Sequence, residues 1–190
     1  DKELPEFIQF IGKLHRMGVD ALIMQDAGAA KLVREHYPDF PLHASTQMTI
    51  TGSYGARILK ELGAERVVTA RELSLEEIER IHREVDVEIE SFVHGALCYC
   101  YSGQCLMSSM LGGRSGNRGR CAQTCRLPYT LYCGYDKVTE GHLLSPKDIA
   151  TVSILPELIE AGIASLKIEG RMKNPEYVAG VTRIYRKYID

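Results

Sequence analysis

The chain has no long apolar run, no paired C-x2-C knuckles and no overall excess of positive charge, and each absence narrows what it is built to do. No stretch approaches the ~20 apolar residues that cross a bilayer, so a soluble protein with no membrane partner and a cytoplasmic setting is expected. The opening DKELPEFIQFIGKLHRMG lacks a basic n-region followed by an apolar core, so no signal peptide is expected there. Leu4, Phe7, Ile8, Ile11 and Leu14 instead share one face of an amphipathic helix. A net charge of -2 excludes a protein that coats nucleic acid by general basicity. Neither H-E-x-x-H nor G-x-S-x-G occurs, and no predicted strand runs into G-x-G-x-x-G. The common zinc-peptidase, serine-hydrolase and dinucleotide signatures are therefore missing.

At 190 residues and 45% hydrophobic, the chain has enough core-forming sequence for one domain. Its six cysteines are therefore expected to be reduced rather than to staple a coreless scaffold. Short β-branched runs alternate with helical stretches. Helices are predicted over 4–17, 27–37, 53–62, 74–84, 153–161 and 174–189, and strands over 20–25, 41–45, 65–70, 86–93, 143–145 and 165–169, with a hairpin over 129–143. Strands spaced about twenty residues apart and joined by helices imply right-handed βαβ units and a parallel sheet. The expected fold is α/β, a (β/α) TIM-barrel-like arrangement. Residues 1–190 would be its C-terminal larger part, a fragment lacking about two βα units upstream, with 94–128 as an inserted Cys- and Arg-rich loop. An open doubly wound sheet is the alternative.

Barrel chemistry sits at the C-terminal ends of strands, and those positions are polar here. They are Gln25 and Asp26; His43, Ser45 and Gln47; Arg71 and Glu72; His94; Ser145, Lys147 and Asp148; and Lys167, Glu169 and Arg171. His43, Gln47, Glu72, His94, Lys167 and Glu169 are the catalytic candidates. Singly, each reads equally well as an ordinary loop residue, and Asp148 or Ser145 as a helix cap.

The densest signal runs from His94 to Tyr129, HGALCYCYSGQCLMSSMLGGRSGNRGRCAQTCRLPY, which holds five of the cysteines, four arginines and no acid. Cys98, Cys105, Cys121 and Cys125 follow the spacing C-x6-C-x15-C-x3-C, with Cys100 and Cys133 as spare thiols. Thiolates are soft donors that suit a 4Fe-4S cluster or zinc; inert buried thiols or disulfides are the plainer alternatives. Arg114, Arg118, Arg120 and Arg126 could balance the charge of a thiolate site or hold phosphates bidentately.

ESFVHGALCYCYSGQC, GRSGNRGRCAQTCRLPY, LLSPKDI and SLKIEGRMKNPEYVAGVTRIYRKYID, together with HASTQM and ARELSL, resemble the collagenase-like peptidase family of unassigned catalytic type, peptidase family U-32. The resemblance runs along essentially the whole chain. It implies one of two activities: a peptidase, or the chemistry of iron–sulfur relatives that hydroxylate bases of transfer or ribosomal RNA, or the ring of a quinone precursor. For the hydroxylases it further implies cluster ligands at Cys98, Cys105, Cys121 and Cys125, with Cys100 or Cys133 as substitutes for the fourth. It also implies a small carboxylate co-substrate such as prephenate, which Lys167 and Arg171 would suit. The site residues carry no legible nucleophile–base pair, so an RNA base hydroxylase is expected first, a peptidase second, and a metal-stapled RNA-binding module third.

Overall fold

A computed structural model describes residues 2–170 and 173–190. Arg171, expected at an anionic substrate, lies outside the described residues. In chain order the first elements are α1 (Leu4–Arg16), β1 (Leu22–Met24), α2 (Ala27–His36), β2 (Leu42–Ala44), α3 (Ser53–Glu61), β3 (Ala64–Val68), α4 (Leu75–Glu84) and β4 (Glu88–Gly95). Then come α5 (Met107–Gly112), β5 (Tyr129–Cys133), β6 (Asp136–Gly141), β7 (Ile149–Ala150), α6 (Leu155–Glu160), β8 (Ile163–Glu169) and α7 (Pro175–Ile189). The chain divides into two compact units, Asp1–Ser91 with Ile154–Leu166, and Phe92–Ser153 with Lys167–Asp190. Strands β4 and β8 each contribute to both.

In the first unit β1, β2, β3 and β4 pair parallel, in that order, as the βα alternation predicts. Met24, Ala44, Val67 and Ile89 fall in one cross-strand row, and its last three members are buried. Ile11, Leu22, Ala30, Val33, Phe40 and Leu42 bury each other beside it, so α1 and α2 cover that face. The neighbouring row runs Ile23, His43, Arg66, Glu88. Because side chains alternate along a strand, this polar row lies on the opposite face. Local caps set the helix starts. Asp26 Oδ1 accepts from Ala29 N at 2.8 Å, and Ser74 and Glu77 close a reciprocal capping box at 3.3 and 2.8 Å. Asp26, read from sequence as a strand-end polar residue, is thus a helix cap.

The second unit departs from the repeating βα pattern. The hairpin appears as β5 with β6, but no strand forms at 143–145; that stretch turns, with Ser145 N donating to His142 O at 3.0 Å. The pairing falls at β7 instead, antiparallel to β4 through His94–Ala150 and Gly95–Ile149. Residue 146 is a proline, which has no N–H for a ladder, so the strand starts only after it. A short helix, α5, was also unforeseen in the Cys-rich loop. The described strands establish a mixed α/β chain with a mostly parallel sheet.

Helix α7 is tied to β4 through Tyr185. Tyr185, buried, donates its hydroxyl to Val93 O at 2.8 Å and accepts from Thr151 N at 3.1 Å, and Thr151 Oγ1 reaches the same Val93 carbonyl at 2.9 Å. Among the described residues no helix is long and apolar enough to cross a membrane.

Candidate functional site

The predicted site residues fall into both units. In the first, His43 sits on β2, Gln47 in the 3-10 turn Thr46–Met48, and Glu72 in the exposed turn after β3. Burial holds the His43 imidazole below its ordinary range, and the Arg66 guanidinium on the next strand adds to the shift. Both effects disfavour a proton on His43 beside Arg66, which pairs with Glu88 at 2.7 Å and with Glu90 at 3.5 Å. The Glu90 side chain, only 10% exposed, also accepts from Ser165 Oγ at 2.8 Å. Sequence reading missed Arg66, Glu90 and Ser165. Only the cross-strand register, absent from a linear pattern, brings them to one place.

In the second unit His94 lies on β4, its ring 5.7 Å from that of Tyr185 and 6.0 Å from that of Tyr177. Its Nδ1 is buried without a hydrogen-bond partner among the described residues. Gly95 follows at φ 106°, and the Glu169 carbonyl occupies the space a Cβ would need. No other residue type fits there. Lys167 Nζ stands 5.7 Å from the centre of the Phe92 ring, a cation–π contact on the strand pair β4 and β8.

All six cysteines are free thiols. Cys100, Cys121 and Cys125 are half-buried, and Cys98, Cys105 and Cys133 exposed. Burial pushes the Cys125 thiol up; Arg126 pulls against that, while the adjacent Cys121 and Cys105 thiols add to the rise. Among the described residues no three His, Cys, Asp or Glu side chains close into a metal-holding group. The donor set fits a soft metal in kind, being reduced thiols in one acid-free loop.

The arginines divide by role. Arg126 donates to Leu97 O at 2.7 Å, Ser145 Oγ at 2.8 Å and Pro146 O at 2.5 Å, and pairs with Asp148 at 3.9 Å. With its donors so used, Arg126 is removed from the phosphate-binding set. Ser145 and Asp148 receive it and cap no helix. Arg114 donates Nε to Arg120 O at 3.0 Å and closes its own loop, helped by Arg120 N to Ser115 O at 2.9 Å. The α5 residue Ser108 anchors that loop by accepting from Ala122 N at 2.9 Å. Arg114, Arg118 and Arg120 remain exposed, as are Tyr99 and Tyr101, at 61% and 66%.

A profile described as "Peptidase family U32" matches residues 1–190. The chain belongs to this family. It is 47% identical over its whole length to the Escherichia coli protein named 23S rRNA 5-hydroxycytidine C2501 synthase, covering 29% of it. It is 40% identical over 98% of its length to the Bacillus subtilis tRNA hydroxylation protein P1, covering 46% of that protein. It is 42% identical over its whole length to a Methanocaldococcus jannaschii protein named an uncharacterized protease, covering 47%. The U32 chain thus spans less than half of each of these relatives. Both activities that its sequence resemblance implies, RNA hydroxylation and proteolysis, stand in the names of its U32 relatives.

Proposed function

We propose that this chain is the cluster-holding and RNA-contacting part of a U32 RNA base hydroxylase acting on ribosomal or transfer RNA in the cytoplasm. The observation that carries the reading is the concentration of five reduced thiols, with exposed Arg114, Arg118 and Arg120, in one segment that has no acid. Cys98, Cys105, Cys121 and Cys125 are the donors for a 4Fe-4S cluster, with Cys100 and Cys133 as alternatives and zinc as the alternative metal. Bound there, the cluster would supply one-electron redox chemistry, which base hydroxylation can use and peptide hydrolysis cannot.

The chain's own residues do the rest. Arg114, Arg118 and Arg120 meet RNA phosphates, while exposed Tyr99 and Tyr101 offer faces on which an unpaired base stacks. Buried, partnerless Nδ1 of His94 is a group a substrate can satisfy, and Lys167 supplies positive charge for a small carboxylate co-substrate such as prephenate. His94 presents Nδ1 to no hydroxyl, thiol or carboxylate among the described residues, so that nitrogen forms no nucleophile–base pair there. The sheet of the first unit, helix-covered on one face and polar on the other, supports a (β/α) barrel, with the His43–Arg66–Glu88 row facing its interior and the missing strands supplied by sequence outside this chain.

The test is iron, labile sulfide and zinc content of anaerobically purified protein beside a Cys121→Ser, Cys125→Ser variant, followed by mass spectrometry of ribosomal and transfer RNA nucleosides from cells lacking the gene. Near-equal iron and sulfide, lost in the variant, with a hydroxylated nucleoside missing from the RNA, is the expected result. Zinc alone with an unchanged nucleoside profile would overturn the reading.

A further inference from the structure

The thiol set has a spacing problem. Cys98 follows the end of β4, whereas Cys121 and Cys125 lie beyond a Gly-rich stretch that Arg114 Nε to Arg120 O and Ala122 N to Ser108 Oγ close on itself; holding its two ends together costs entropy that grows with its length. The guanidinium of Arg126 links the Cys125 end to the Cys98 end. One Nη reaches back 29 residues to the carbonyl of Leu97, the neighbour of Cys98, while the other reaches forward across the β5–β6 hairpin to Ser145 Oγ, 19 residues on, and to Pro146 O, 20 residues on. Asp148, paired on its other side with Lys173 at 3.3 Å, compensates the charge. The Arg126 backbone, adjoining Cys125, is fixed in turn: its carbonyl accepts from His142 Nδ1 at 2.9 Å and its N–H donates to Gln123 O at 2.9 Å.

We infer that Arg126 is a positioning residue, which acts through Leu97 and its own backbone to hold the Cys98 and Cys125 ends of the thiol set in one frame. A planar guanidinium can serve two carbonyls and a hydroxyl at once; an ammonium keeps the charge without the fork. Lysine at 126 therefore preserves the electrostatics and loses the frame. Only the metal readout below rests on the proposed cluster.

The test uses metal-free protein in which Cys100, Cys105, Cys121 and Cys133 are replaced by Ser, leaving Cys98 and Cys125. A short bismaleimide is applied to the Arg126 parent, Arg126→Lys and Arg126→Gln, with melting curves to establish that each is folded at the assay temperature and mono-maleimide labelling to establish that both thiols react. Because the link sets the local effective concentration of one thiol at the other, intramolecular cross-linking should fall about fivefold or more in both variants. A residue that merely adds stability would lower the melting temperature and leave cross-linking in the folded protein unchanged. If Arg126→Gln does not fold, Arg126→Lys decides. As a second readout, cobalt(II) titration of the six-thiol protein should show affinity weakened about 10- to 100-fold in Arg126→Lys. Parent-level cross-linking in folded Arg126→Lys, or no cross-link in the parent, overturns the proposal. Lost cross-linking in the variants with no cobalt bound by the six-thiol protein sustains Arg126 and sinks the metal reading instead.

Discussion

Arg66 donates two hydrogen bonds, from Nε at 2.9 Å and Nη2 at 2.7 Å, to one carboxylate oxygen of its cross-strand neighbour Glu88. The same guanidinium faces His43 across the other strand edge, so one side chain satisfies an acid and discourages a proton on a histidine.

A pH dependence follows from that arrangement. The His43 pKa is lowered in the folded state, first by burial and then by Arg66, so the unfolded chain binds the proton more readily. Stability then rises with pH across the window between the folded and unfolded values and is lost as pH falls through the unfolded value, about 6.5. Denaturant unfolding from pH 5 to 8 should therefore show an acid-side loss that His43→Gln reduces. NMR titration of Arg66→Met should place His43 higher than in the parent, because burial then works alone against the carboxylates of Glu90, Glu88 and Glu65. A His43 titration that Arg66→Met leaves in place would remove Arg66 as a cause.

Gly95 sits at φ 106° with the Glu169 carbonyl where a Cβ would stand. Gly95→Ala combines left-handed strain, roughly 1–3 kcal/mol, with a backbone clash that only separation of β4 from β8 relieves. Thermal melting should show a clear loss, and amide exchange should quicken around Val93 and Thr151, whose bonds lie beside the same strand. A melting temperature equal to that of the parent would show that the two strands yield without cost.

The parallel core was legible because its signals are local: Gly63 and Gly162 end helices at positive φ before β3 and β8, and β-branched runs mark the strands. The second unit was less so. Its antiparallel β7 is two residues long and is selected by Pro146 and by the Thr151–Val93 bonds, which join positions 58 residues apart. Helix α5 left one readable trace, Gly113 as a left-handed C-cap after MSSMLG, but six residues make a weak periodic signal. For the site, the thiols and arginines announced themselves by composition. That Arg126 faces inward while Arg118 and Arg120 face solvent depends on tertiary partners, which composition does not encode.

Thiol reactivity separates half-buried from exposed cysteines. Burial and the neighbouring thiols raise the Cys125 pKa, so in metal-free protein its thiolate fraction near pH 8 is reduced. Iodoacetamide labelling read by peptide mass spectrometry should modify Cys125 more slowly than exposed Cys133 on the hairpin. Equal rates for the two would remove burial and the neighbouring thiols as controls on Cys125.

RNA contact makes the sharpest separation among the arginines. Arg118 and Arg120 are exposed, so Arg118→Ala and Arg120→Ala should each weaken binding and lower the slope of log affinity against log salt by about 1, leaving melting unchanged. Tyr99→Ala and Tyr101→Ala should weaken binding to unpaired RNA by about 1–3 kcal/mol per stacked base while leaving the salt slope alone, because stacking releases no counterions. Arg126→Lys retains the charge, so any loss of RNA binding there should come with altered thiol geometry rather than a changed slope. Filter binding or anisotropy across a salt series distinguishes these behaviours. An identical salt slope in the parent and in the double variant Arg118→Ala, Arg120→Ala would place the RNA contacts elsewhere in the protein.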